Sequence, residues 1–79
     1  MNQAIQFVDR VEYDNGIITF YAMVNGLLLP CIIDLGQTER SDALAHFAKH
    51  RFDYEDIAQE QIEEEEFGDD GEVKIKSLA

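Results

Sequence analysis

Residues 17–34 read IITFYAMVNGLLLPCIID, two apolar runs on either side of Asn25-Gly26. This dipeptide favours a two-residue type I′ turn, in which both residues take a positive φ. We therefore predict a β-hairpin in which Val24 pairs with Leu27. The next pairs are Ala22 with Leu29, Phe20 with Cys31, and Ile18 with Ile33. All eight side chains are apolar, so they can form one continuous buried face. A one-residue slip would turn all of them toward water, and this fixes the register.

The opposite face of this hairpin is also largely apolar. It carries Ile17, Thr19, Tyr21 and Met23 opposite Leu28, Pro30, Ile32 and Asp34. A two-layer domain usually presents a more polar face to water. We therefore expect a second subunit or another part of the chain to cover it, and the predicted interface is Tyr21, Met23, Leu28, Pro30 and Ile32. Pro30 has no N–H for a ladder, which favours an edge strand.

A further strand precedes the hairpin. Apolar residues alternate from Phe7 onward, and Asp9 interrupts the pattern, which indicates a sheet rim or a bulge. Asn15-Gly16 predicts a second two-residue turn that places Tyr13 opposite Ile18. A three-residue loop with Gly16 in the left-handed region would move Tyr13 to the other face. We prefer the two-residue turn, because it places the apolar residues of this strand on the same face as those of the hairpin.

Two helices are predicted after the hairpin. Thr38 or Ser41 can cap the first, which extends to about Arg51, and Ser41 fits the apolar spacing better. Asp53 then resembles the N-cap of a second helix, with Phe52 packing on Ile57. The predicted buried side of that helix is Tyr54, Ile57, Ala58 and Ile62. So short a connection implies a helical hairpin or a steep corner.

The last predicted strand is residues 72–77, with Val73 and Ile75 inward and Lys74 and Lys76 outward. Three strands followed by two helix passes would leave this strand antiparallel to either edge. The predicted fold is α+β with the order β-β-β-α-α-β. It has a single antiparallel four-stranded sheet with a helical hairpin packed on one face, in one domain over residues 1–79.

The charge balance restricts the classes of partner. Seventeen acidic and 6 basic residues give a net charge of −11. This argues against direct nucleic-acid binding and against anionic membranes, which both need clustered Lys and Arg. The negative charge can simply keep the protein soluble. Alternatively, it can make the protein an acidic partner or nucleic-acid mimic for a basic protein. The single cysteine and the lack of a signal-peptide or membrane-helix pattern predict a cytoplasmic protein.

Few residues suggest chemistry. His46 and His50 have the i, i+4 spacing of paired metal ligands, but the glutamate of the zincin motif and a clear third ligand are missing. Residues 63–66 with Asp69 and Asp70 would attract cations without matching a calcium loop. Cys31 is expected to point inward and to be unreactive. We therefore predict no catalytic residue, no cofactor and no metal ligand.

The densest polar cluster is His50, Arg51, Asp53 and Glu55. It is either a set of ion pairs at the corner between the helices or a recognition patch for a protein partner.

Several short motifs together carry a resemblance to a known family. They are Ile5-Gln-Phe7 followed by Asp9-Arg10, Val24-Asn-Gly26, Cys31, Phe47-Ala-Lys-His50-Arg51, and Glu55-Asp-Ile-Ala58. In these the chain resembles the short acidic bacterial proteins grouped as domain of unknown function 1488. The resemblance implies a compact cytoplasmic α+β domain without an established activity, and it carries over no catalytic or binding residue.

The favoured functional hypothesis is a non-enzymatic interaction or accessory protein that forms a homodimer and has an unidentified protein partner. One alternative is a divalent-metal-binding protein or minor enzyme that uses His46, His50 and the acidic second helix. The other is an acidic partner of a basic protein.

Overall fold

The computed structural model describes residues 5–65 and 71–78. Its elements are β1 (Ile5–Asp14), β2 (Ile17–Val24), β3 (Leu27–Asp34), α1 (Arg40–Glu63) and β4 (Val73–Ile75). The four strands form one sheet in the order β1-β2-β3-β4. The helix contributes its buried side chains to the same core as one face of the sheet. The α+β class is confirmed.

Both predicted hairpins are confirmed in their register. Val24 pairs with Leu27, and Tyr13 pairs with Ile18. Each turn consists of an asparagine and a glycine with positive φ, as a type I′ turn requires. Of the eight side chains on the predicted buried face, six are buried, while Leu29 is half-buried and Leu27 is exposed at the hairpin tip.

β1 contains the predicted irregularity at Asp9. Phe7 pairs with Ala22 and Val11 with Phe20, so three residues of β1 lie opposite Tyr21 alone. Asp9 is the middle one of these three, and it is exposed. A bulge of this kind lets the strand take up extra residues while the apolar alternation continues on both sides.

The predicted helical hairpin is wrong, because α1 is one helix with a kink at His50 (φ −109°, ψ 17°). The buried positions on both sides of the kink form one stripe, namely Ala43, Phe47, Tyr54, Ala58 and Ile62. Continuing the helix keeps this whole stripe on the sheet, which outweighs the local signal for a new start at Asp53. Phe52 is therefore 79% exposed and makes no staple.

The predicted caps are also wrong. The N-cap position is Glu39, whose side chain makes no capping hydrogen bond, and Ser41 lies inside the helix. Thr38 instead donates its hydroxyl to the Leu35 carbonyl at 2.6 Å.

The all-antiparallel sheet is wrong for its last strand. β4 pairs parallel with β3, matching Cys31 with Val73 and Ile33 with Ile75. A single helix brings the chain back only once, so β4 must run in the same direction as β3. Val73 and Ile75 are buried, and Lys74 is exposed, as predicted.

Pro30 marks the point on β3 where the pairing with β4 stops. The Leu35 N–H donates to the Gly16 carbonyl at 2.8 Å and thereby extends the β2–β3 ladder. Along an antiparallel strand, successive N–H groups point alternately toward and away from the paired strand. Leu35 points its N–H toward β2, so Pro30, five residues earlier, directs its nitrogen away from β2. β4 begins its pairing only at Cys31, immediately after Pro30. Among the described strands, residues 27–30 of β3 thus form an edge, whereas residues 31–33 pair with β4, which corrects the prediction for that part of the strand.

Candidate protein interface

The sheet has one face turned away from α1, which we call the open sheet face. Its β2 and β3 residues are Ile17, Thr19, Tyr21, Met23, Leu28, Pro30, Ile32 and Asp34. None of them is buried, and Ile17, Met23 and Leu28 are 36%, 38% and 44% exposed. The described part of the chain therefore leaves the predicted interface residues on an uncovered surface.

A polar cluster borders this face on β1. Arg10 Nη2 lies 2.8 Å from Glu12 Oε2, and the Tyr21 hydroxyl donates to the other oxygen of the same carboxylate. The Arg10 guanidinium lies 4.9 Å from the Tyr21 ring centroid, a cation–π distance. The hydrogen bonds from Tyr21 and Arg10 lower the pKa of Glu12. The carboxylate thus stays ionised, its charge is balanced by Arg10, and it holds both partners at the border of the face.

Sequence reasoning missed this cluster, although a signal was present. Glu12 pairs with Thr19, so it projects from the same side of the sheet as Tyr21. Since Val11 was predicted to face the core, strand alternation would have placed its neighbour Arg10 on the open sheet face as well.

A groove lies at the end of the open sheet face far from the Asn25-Gly26 turn. Its volume is about 490 Å³, and it is lined by Ile17, Ile32, Asp34, Glu72, Lys74 and Ile75. We call it the strand-end groove. Its lining combines isoleucine residues with charged residues, so it suits an apolar side chain that lies beside polar groups.

The predicted recognition patch lies around the helix kink. Arg51 Nε is 3.1 Å from Glu55 Oε2, and Arg51 Nη1 is 3.7 Å from Asp9 Oδ1. His50 Nδ1 lies 3.7 Å from Asp53 Oδ2. The structure thus joins the four residues in two pairs near the kink, and Arg51 also connects the helix to the β1 bulge. Each such surface pair contributes about 0–1 kcal/mol, so the contacts orient the side chains more than they stabilise the fold.

The arrangement around His46 and His50 does not form a metal site among the described residues. Their rings are 4.7 Å apart between centroids, and His46 Nε2 lies 2.7 Å from the Tyr54 hydroxyl oxygen. Among residues 5–65 and 71–78, no group of three His, Cys, Asp or Glu side chains could hold a metal ion. Glu66, Asp69 and Asp70, which the cation hypothesis also used, lie outside the described residues.

Tyr54 ties the C-terminal segment to the helix. It is fully buried, and its hydroxyl accepts the Leu78 N–H at 2.9 Å. The hydroxyl proton is then available for His46 Nε2, which requires a neutral ring protonated at Nδ1. Burial lowers the pKa of His46, and the nearby charges of His50 and Lys49 lower it further.

This arrangement predicts a pH dependence of stability. Protonated His46 cannot accept from Tyr54, and its pKa is lower in the folded than in the unfolded chain, so stability falls as pH drops below about 6.5. His46→Gln retains an acceptor without a titratable group. We expect the melting temperature of the wild type, relative to that of His46→Gln, to decline between about pH 7.5 and 5.5. A constant difference across this range would show that His46 does not contribute.

Cys31 points into the core, as predicted. It is fully buried, and this burial raises the pKa of its thiol to about 12. The thiolate needed for nucleophilic chemistry is therefore absent at neutral pH.

Comparison with known proteins places the chain in a family. The profile described as "Protein of unknown function (DUF1488)" matches residues 5–75. The chain belongs to the DUF1488 family. The resemblance drawn from its short motifs is confirmed.

Relatives of this DUF1488 chain are bacterial. The chain is 42% identical to "Uncharacterized protein YrdB" of Escherichia coli K12 over 82 aligned residues, which cover 92% of the chain and 96% of that protein. YrdB of Shigella flexneri matches to the same extent. A crystal structure of a DUF1488 protein of unknown function from Shewanella loihica PV-4 superposes with a TM-score of 0.82. It is 30% identical and covers 95% of this chain and 94% of the other. None of these descriptions indicates a catalytic activity.

In the part of the chain that the structure describes, α1 is too polar to cross a bilayer.

Proposed function

We propose that this DUF1488 protein is a non-enzymatic cytosolic interaction module that works as a homodimer through the open sheet face. The observation that carries the proposal is the exposure of Ile17, Met23 and Leu28 on a sheet face that the described residues leave without a second layer. Sheets normally bury an apolar face against another layer, and clustered exposed apolar residues mark contact sites.

The area of the open sheet face can be compared with that of known interfaces. Three strands at about 4.8 Å spacing and eight residues at about 3.3 Å rise give a flat area on the order of 400 Å². A standard stable interface buries about 800 Å² per partner. The face alone therefore has the size of a weak, concentration-dependent contact.

Charge works against this dimer. Each copy has a net charge of −11. Repulsion between two such chains is screened over about 8–10 Å at physiological salt, so added salt strengthens the association. The pairing of Arg10 with Glu12 removes one unbalanced carboxylate from the border of the face.

Two neighbouring leucines provide a test with a built-in control. Leu28 lies on the open sheet face, and Leu27 projects from the other side of β3 and is 67% exposed. Leu28→Asp would bury a charge in the contact, and we expect it to raise the dimer dissociation constant at least about tenfold. Sedimentation equilibrium from micromolar to millimolar chain concentrations measures this constant.

The control is Leu27→Asp, which adds the same charge one residue away. We expect it to associate like the wild type. A wild type that sediments as a monomer throughout the concentration range would refute the proposed dimer, and equal weakening by both variants would assign it to another surface.

A further inference from the structure

The open sheet face differs between its two ends. At the turn end, Met23 pairs with Leu28 and both side chains are exposed, a pair that we call the hairpin knob. At the other end is the strand-end groove, with a volume of about 490 Å³. Met23 and Ile17 are six residues apart on β2, which corresponds to about 20 Å. One face thus carries an exposed apolar pair and a groove, far enough apart to be separate contacts.

A two-fold dimer requires a self-complementary surface, in which residue i contacts j and j contacts i. We infer that the proposed dimer stacks two open sheet faces with their hairpins pointing in opposite directions, so that the hairpin knob of each copy fills the strand-end groove of the other. This inference rests on the proposed homodimer and adds the arrangement of its two subunits.

Charge distinguishes this arrangement from its alternative. Residues 23–28 contain no charged side chain. At the groove end, Asp14 and Asp34 flank Ile17 on the neighbouring strands, and the groove lining adds Glu72 and Lys74, so acidic groups outnumber basic ones there. Hairpins pointing in the same direction would bring two such acidic ends together and cause like-charge repulsion. Opposite hairpins instead place each acidic end against an uncharged knob.

The chemistry of the two surfaces also fits. Methionine is unbranched and adapts to irregular apolar spaces, and leucine adds aliphatic surface beside it. The groove offers Ile17 and Ile32 as apolar lining, and Lys74 and Asp34 also line it. Seating the knob would remove apolar surface from water on both copies at once.

Disulfide crosslinking tests the arrangement, because it needs Cβ atoms within about 3.5–4.5 Å of each other. Met23→Cys and Ile17→Cys chains, one carrying a size tag, are oxidised mildly alone and as an equal mixture. We expect the mixed disulfide dimer to exceed either homodimer at least about fivefold. Wild type, whose buried Cys31 is unreactive, gives the background. Leu27→Cys mixed with Ile17→Cys is the matched control and should stay at background.

The outcomes separate this inference from the homodimer itself. Efficient crosslinking of Met23→Cys with itself would show hairpins pointing in the same direction and overturn the inference. Background crosslinking of a protein that sediments as a dimer would also overturn it and leave dimerisation standing. A monomeric wild type would remove the proposed function together with its arrangement.

Discussion

Replacing Gly16 by alanine is expected to lower the free energy of unfolding by about 2–5 kcal/mol. Gly16 has a φ of +81°, which costs an alanine about 1–2 kcal/mol. In addition, a Cβ at this position would lie 1.7 Å from the Gly36 carbonyl oxygen. One or the other backbone segment must therefore move.

The Gly36 segment has little freedom to move. Its N–H donates to Asp34 Oδ1 at 2.9 Å, and Leu35 is bonded to the Gly16 carbonyl itself. Tyr13 donates its hydroxyl to the Thr38 carbonyl at 2.6 Å and fixes the far end of the segment. Shifting this segment would break contacts that connect the sheet to the start of α1.

Gly26→Ala is the matched control for Gly16→Ala. Gly26 has the same turn position and the same φ of +81°, but no atom lies within 4 Å of the added Cβ. We expect it to lose only the about 1–2 kcal/mol of left-handed strain. Urea denaturation followed by circular dichroism measures both values. Equal losses for the two variants would show that the Gly36 segment relaxes freely.

The second large effect is expected at Tyr54. Tyr54→Ala should lower the free energy of unfolding by about 3–5 kcal/mol, because it removes a fully buried aromatic ring from the core. The ring is stacked on Phe47 at 5.9 Å between centroids. Its hydroxyl also joins His46 to the backbone of Leu78. The alanine variant loses both the ring packing and this connection.

Tyr54→Phe separates the two contributions. It keeps the ring but leaves the Leu78 N–H without its acceptor, and we expect a loss of about 1–3 kcal/mol. Hydrogen exchange at the Leu78 amide should speed up in this variant while the hairpin amides keep their protection. An unchanged Leu78 exchange rate would contradict the role of the hydroxyl in holding the C-terminal segment.

The candidate interface depends on both local and long-range features. Alternation along β2 and β3 was sufficient to predict which side chains share the open sheet face, because side-chain direction in a strand has a period of two. The strand-end groove was not predictable, since Lys74 and Glu72 reach it only through the placement of β4. Arg10 joins the face across the β1 bulge, whose exact span depends on the pairing with β2.

The amino-acid sequence by itself determined both hairpins, their register and the buried face, because Asn-Gly turns and strand alternation act between neighbouring residues. Only the tertiary structure decided that α1 continues through His50 and that β4 runs parallel to β3. The local capping pattern at Asp53 favours a break by about 1 kcal/mol. Burying Tyr54, Ala58 and Ile62 on the same sheet as Phe47 contributes several times more, and that gain exists only when the distant segments meet.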